Sequence, residues 1–461
     1  MLFTRKQFSC LAIVFTTSFM GSFLISSVNL ALPEIESEFN IEAIKLSWIV
    51  TAFLLSSAMF LLPSGGLSDR IGVKKFFRFG IIVFVLSSLI ASLSPNADLL
   101  IASRFLQGIG AALTSATGPA ILVSSFPPQH RGRVLGYSAA SVYMGLAFGP
   151  FVGGFITQYA GWRMLFYIST FVGLVVAILA FLHLGEENIE INNSKRPSFK
   201  GMALFMPGLL IMVYGSSEIP SIAGWAMLFI GAFMLLMFWI VESKLETPLF
   251  NTKLFTKNKL FAFSNLAALI NYSATYAIVF LLSLYLQKIK ALSPRDAGMI
   301  LIAQPVVMAS LSPVAGRLSD KFQARYLASI GMGLCALGLF GFAFLTESTP
   351  IWLIVILLFN MGLGFALFSS PNMNTIMSSV EKQHYGTASG TSATMRVIGQ
   401  MTSMIIVTLF FAGFFANESI KNVPNQVFLN AINWGFACFA IICVVGIYFS
   451  FFRGKINRID A

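Results

Sequence analysis

Two arginines stand inside apolar runs. Arg104 lies in the stretch 99–123 and Arg396 in the stretch 387–415. A guanidinium in hydrocarbon is costly and has to face a cavity or a polar partner. Its planar fork suits a carboxylate or a phosphate, which points to an anionic, zwitterionic or neutral ligand rather than a lipophilic cation. The competing role is a structural tie to backbone carbonyls. Asn29, Gln107, Asn271, Tyr276, Gln304 and Asn360 also fall within apolar runs, and amides in such places turn toward the bundle interior. With the two arginines they are the candidate residues of a substrate cavity. No catalytic constellation accompanies them. The sequence has no GxxxxGK[ST] phosphate loop and no cluster of His and acids for a metal, so neither an enzyme nor a cofactor or metal site is expected. Cys10, Cys335, Cys438 and Cys443 are scattered through apolar runs and are assigned to packing, while His130 and His384 are assigned to loop structure.

The elements that carry these residues are transmembrane helices. The chain is 57% hydrophobic and 10% charged, with 47 Phe, and its mean hydropathy is +0.82. An apolar stretch of about 20 residues spans hydrocarbon as a helix, because each backbone amide must be satisfied within its own segment. Fourteen such stretches can be drawn, beginning with 8–32. The net charge of +12 raises the possibility of nucleic acid, yet most Lys and Arg fall in loops on one side. That is the positive-inside pattern. It predicts a multi-pass protein of the plasma (cytoplasmic or inner) membrane with both termini cytoplasmic, surrounded by lipid and binding no nucleic acid.

An internal repeat organises the chain. "GGLSDRIGVKK" from Gly65 is echoed by "GRLSDKFQAR" from Gly316, with Asp69 matched to Asp320. "SSFPPQHRGRVLG" from Ser124 aligns without gaps to "SSVEKQHYGTASG" from Ser378, and Gly108 and Gly110 align with Gly362 and Gly364. Two six-helix bundles, 1–190 and 259–461, are expected, joined by two inserted transmembrane helices in 191–258. Duplicated helical halves around a midplane site are the architecture of secondary transporters.

The motif Gly65-x-x-x-Asp69-Arg70-x-Gly72-x-Lys74-Lys75 resembles the signature loop of the Major Facilitator Superfamily. Arg104-x-x-Gln107-Gly108-x-Gly110 is similar to that superfamily's helix-four motif, and Gly145-x-x-x-Gly149-Pro150-x-x-Gly153-Gly154 to the helix-five motif of its antiporters. With fourteen helices, the chain resembles the drug/proton antiporter branch. The fold this implies is all-α, two six-helix halves with two helices inserted. The function it implies is export of hydrophobic or amphipathic small molecules by alternating access, coupled to protons, by a monomer.

Physical reasoning gives these motifs roles. Asp69 can accept from an adjacent helix amino terminus and pair with Arg70 or Arg133, forming with Gly65, Gly72 and Lys74 a latch that breaks when the halves rock. The copy keeps Asp320 and Lys321 but has Gln323 in place of Gly72. The alternative is a plain basic loop. The helix-five glycines form a smooth stripe for close helix approach, and Pro150 bends that helix. One departure stands out. The superfamily's helix-one motif places an acid nine residues before the proline of "NLALP", and here that position is Leu24. No other span has an interior Asp or Glu. An exporter of one particular endogenous metabolite, siderophore or lipid, an anion being one option, with atypical or no proton coupling, is the alternative function.

Overall fold

The computed structural model describes residues 4–185, 198–245, 248–250, 252–381, 385–415 and 418–454; for Asp69, Arg70, Arg133 and Asp320 it describes the backbone alone. The helices are α1 (Arg5–Phe39), α2 (Ala43–Ile71), α3 (Val73–Ser92), α4 (Ala97–Ser125), α5 (Pro128–Ala160), α6 (Arg163–His183), α7 (Phe199–Ser217), α8 (Ile222–Lys244), α9 (Thr252–Lys257), α10 (Lys259–Thr275), α11 (Ala277–Lys288), α12 (Pro294–Leu301), α13 (Ala303–Lys321), α14 (Ala324–Phe342), α15 (Ile351–Ser378), α16 (Tyr385–Phe415) and α17 (Asn425–Phe452). Fourteen spans are long and apolar enough to cross a membrane. Two of them are broken, α10–α11 at Tyr276 and α12–α13 at Ile302. Pro305 explains the second break, since its ring and missing N–H disrupt the ladder back to Leu301. At the first, the freed N–H of Ala277 donates to Ser403 Oγ at 3.1 Å, so α16 satisfies a backbone group that α10–α11 cannot.

The repeat written in the sequence recurs in the packing. In the first half α1 lies along α5, α2 along α4, and α3 between α4 and α6. In the second, α10 lies along α16, α13 along α15, and α14 between α15 and α17. A close glycine crossing is duplicated as well. A Cβ on Gly110 would stand 2.7 Å from Gly80 O, and one on Gly364 would stand 2.7 Å from Gly331 O. Without side chains at these points the backbones meet directly, which is how helices associate where lipid offers no hydrophobic drive.

The halves meet through α5 against α12 and α13, α2 against α16, and α1 against α11. α7 and α8 pack on each other, with α7 laid over α2 and α16; Trp48 Nε1 donates to Ser217 Oγ at 2.8 Å. The outer face of α8 carries Trp225, Phe229, Phe233 and Leu236 exposed, the composition of a surface turned to lipid.

The loop between α2 and α3 turns on Gly72, whose φ of +107° suits glycine. At the copied position Gln323 has φ −63°. The second loop therefore takes a different turn, which is why a residue with a Cβ fits there.

Candidate functional site

A cavity of about 210 Å³ lies between the halves. From the first half it is lined by Ser18, Ser22, Ser26 and Asn29 of α1, Phe53 and Ser57 of α2, Phe84 of α3 and Tyr143 of α5. From the second come Tyr272 and Thr275 of α10, Tyr276, Gln304 and Met308 of α13, Phe365 of α15, and Arg396 and Gln400 of α16. Among the described lining residues Arg396 is the one charged side chain. It stands beside the Tyr272 ring system, and Tyr272 and Phe365 meet edge to face at 5.5 Å.

One end of the cavity, facing the α1–α2 loop and away from the termini, is sealed by bonds between the halves. Ser283 Oγ donates to Asn29 O at 2.8 Å and Gln287 Nε2 to Leu30 O at 3.2 Å. The buried Glu36 carboxylate accepts from Ser419 Oγ at 2.5 Å and Lys421 N at 2.9 Å. Ser47 and Thr408 hydroxyls share a bond of 3.1 Å. The backbones touch as well, since a Cβ on Gly154 would fall 2.4 Å from Pro294 O and one on Gly298 would fall 2.2 Å from Pro150 O. Toward the other end Tyr143 Oη and Ser369 Oγ bond across the halves at 2.8 Å.

The sequence candidates divide on this geometry. Asn29, Tyr276, Gln304 and Arg396 line the cavity. Arg104 and Gln107 are behind its wall. Arg104 is 0% exposed; its Nε donates to Ile49 O at 3.1 Å, its Nη1 bonds Gln107 Oε1, and its guanidinium stacks 4.5 Å from the Phe53 ring centroid. Gln107 Nε2 passes the chain on to Ser88 Oγ at 2.6 Å. The arginine of the helix-four motif is thus a tie joining α2, α3 and α4, because its side chain turns toward the carbonyls of α2. Asn271 is buried away from the lining, near Cys335, and Asn360 ties α15 to α14 through Leu334 O at 2.7 Å.

The helix-five glycines serve two partners. Gly145, Gly149 and Gly153 face α1 within the same half, where added Cβ atoms would lie 2.4 Å from Phe19 O, 2.4 Å from Ser26 Cβ and 2.3 Å from Ser27 Cβ. Gly154 faces α12 of the other half, and Pro150 both lines the cavity and receives Gly298. Leu24 is 0% exposed in the main apolar core and does not reach the cavity. Of the loop residues, Gly65 is half-buried at the end of α2, Lys74 lies on the first turn of α3 and Lys321 is exposed at the end of α13. The side chains of Asp69, Arg70, Arg133 and Asp320 lie outside the described ones.

Sequence reasoning found Asn29 but passed over the hydroxyls that share its face of α1. Ser18, Ser22 and Ser26 lead to Asn29 at helical spacing in a mostly apolar run, and that period was the available signal.

Residues 11–404 match the Major Facilitator Superfamily, as do residues 264–458. The chain is 30% identical to the riboflavin transporter of Clostridioides difficile strain 630, covering 98% of this chain and 99% of that one. It is 29% identical to the methylenomycin A resistance protein of Bacillus subtilis strain 168, over 84% of each, and 28% identical to a multidrug resistance protein of Mycobacterium tuberculosis, over 82% of this chain and 71% of that one. Among solved structures, a bacterial homologue of the human lysosomal transporter Spinster, inward-facing and unoccupied, superposes with a TM-score of 0.69 at 15% identity over 98% and 97% of the two chains. A D-xylose–proton symporter does so with 0.68 at 14% identity over 98% of each. Fold, duplicated packing and sequence agree, and the chain belongs to the Major Facilitator Superfamily of transporters.

Proposed function

We propose that the chain carries aromatic small molecules, neutral or anionic, by rocking bundles 1–190 and 259–461 about the central cavity, with the inserted pair in 191–258 bracing the α2–α16 seam. The observation that carries this is the cavity wall. Rings of Phe53, Phe84, Tyr272, Tyr276 and Phe365 line it together with Arg396, the one charged side chain among the described lining residues. An apolar, aromatic pocket with few polar anchors takes planar amphipathic ligands, and a lone guanidinium repels a cationic one. The riboflavin transporter that aligns end to end with this chain has a cargo of this kind by name.

A second assignment, broad drug efflux, is favoured by the largely apolar wall and by the resistance proteins among the relatives. In either case the scheme moves cargo without a proton bound in the cavity, whose described lining holds no carboxylate. Asp69, Arg70, Arg133 and Asp320 are proposed latch residues, on their placement in the two copied loops beside Gly65, Gly72, Lys74 and Lys321. The asymmetry of Lys and Arg supports a cytoplasmic-membrane location with both termini inside.

The test is flux in proteoliposomes carrying an internal pH dye, read in both directions, for riboflavin, an aromatic carboxylate and tetraphenylphosphonium. Movement of the first two without pH change is expected. Movement of the phosphonium alone, or strict proton exchange, would overturn the assignment.

A further inference from the structure

Two side-chain amides of the cavity lining come from opposite halves, and both have oxygens that nothing among the described residues satisfies. Asn29 of α1 is 2% exposed and Gln304 of α13 is 9% exposed. Among the described residues Asn29 Oδ1 and Gln304 Oε1 have no hydrogen-bond partner, and neither does the hydroxyl of Tyr276, another residue of the lining. Buried polar groups are nearly always paired; other unpaired ones, Asn265 and Asn271 among them, lie off the cavity, and these three are the ones a ligand inside it can meet.

The chemistry of that ligand follows from the amides. Each presents an acceptor and a donor side by side. A carboxylate or sulfonate cannot answer the acceptors, since it has no proton to give. The complement of an amide is an N–H flanked by C=O, the edge of a lactam, ureide or cyclic imide. One such N–H answers one orphan oxygen, a hydroxyl or second N–H carried by the same ring answers the oxygen across the cavity, and the remaining carbonyls fall to Arg396, which has no acid partner among the described lining residues. The aromatic wall accepts the ring that bears it.

From this we infer that Asn29 and Gln304 are specificity-determining residues that select planar heterocycles bearing a cyclic imide or ureide edge. This rests on the aromatic-cargo assignment and narrows it. It also gives binding a mechanical consequence, because a cargo held by both amides bridges the two halves and replaces polar contacts that each half lacks alone.

The test uses the full chain in detergent, with binding of four probes measured by fluorescence or calorimetry. Riboflavin carries the imide, 3-methylriboflavin has its N–H blocked, 9-anthracenecarboxylate is an aromatic anion without an N–H, and tetraphenylphosphonium is a lipophilic cation. Methylation is expected to weaken binding about tenfold or more, the effect of leaving one buried hydrogen bond unmade. Asn29→Leu and Gln304→Met should erase that penalty while keeping anthracenecarboxylate affinity, which also reports that they fold. Equal binding of the two flavins, or a penalty that survives both substitutions, overturns the inference. Anthracenecarboxylate binding without riboflavin binding overturns it too, but leaves the aromatic-cargo assignment standing. Binding of the phosphonium alone sinks both. Should a variant lose every ligand, the comparison of the two flavins in the unaltered chain still decides.

Discussion

Alanine at Gly154 or at Gly298 should open the sealed end, whereas alanine at Gly149 should only loosen one half. The structure supplies the size of the effect. A Cβ at Gly298 would lie 2.2 Å from Pro150 O and one at Gly154 would lie 2.4 Å from Pro294 O, against an ordinary contact beginning at 3.4 Å. Each substitution therefore demands a separation of about 1 Å between α5 and α12, and overpacking of this kind costs about 1–3 kcal/mol. The cost falls on the state in which the two helices touch and is relieved when the halves part there. A bias of about 1–3 kcal/mol shifts a two-state equilibrium about 5- to 150-fold. At Gly149 the atom met is Ser26 Cβ, 2.4 Å away in the same half, so the strain persists in both states and appears as lost stability. The assay is alkylation of Ile25→Cys, a cavity position, by an impermeant maleimide added separately to each face of sealed vesicles. Three native cysteines are buried and Cys438 is half-buried, which keeps the background low. Labelling from the α1–α2 loop face should rise in Gly154→Ala and Gly298→Ala and stay flat in Gly149→Ala, which should melt at a lower temperature. If all three lower the melting temperature and none changes labelling, the α5–α12 contact is not a moving seam.

Three further outcomes separate wall from cavity. Arg104→Met removes the tie to Ile49 O and leaves Gln107 Oε1 unpaired, and should cost about 2–4 kcal/mol of stability in a denaturation curve while leaving the relative affinity for anionic and neutral probes unchanged. Arg396→Gln should do the reverse, lowering anthracenecarboxylate affinity by about tenfold, or about 1.4 kcal/mol, with no change in melting temperature. Glu36→Ala strands Ser419 Oγ and Lys421 N, and should weaken the seal by about 1–3 kcal/mol, read as faster labelling of Ile25→Cys from the α1–α2 loop face.

Much of the fold was written in local pattern. Length and hydropathy set the fourteen spans, and the gapless match of Ser124–Gly136 with Ser378–Gly390 foretold a duplicated packing; that the aligned Gly110 and Gly364 cross Gly80 and Gly331 is visible only in the structure. The site was half legible. Four of eight cavity candidates line it, because an amide or cation in an apolar run announces that it faces inward without saying what it meets. Arg104 meets Ile49 O, a partner on another helix that no spacing encodes. The helix-five stripe shows the same limit. Gly153 and Gly154 are neighbours in sequence, but successive helical residues point about 100° apart, so one packs on α1 and the other reaches the opposite half. The break at Tyr276 has no proline or glycine to announce it; it is supported from outside, by Ser403 of α16.

Asn29 does two separate things. Four residues on, Pro33 has no N–H to give, so the carbonyl of Asn29 drops out of the α1 ladder and is taken by Ser283 of the other half. Its side chain meanwhile points into the cavity. The bond that closes the sealed end thus belongs to the main chain and to the proline, and the group that meets cargo belongs to the residue. Any side chain at position 29 leaves the carbonyl in place. Cargo preference can drift at this position over generations, or be redesigned at the bench, while the closure a few ångströms away is inherited unchanged.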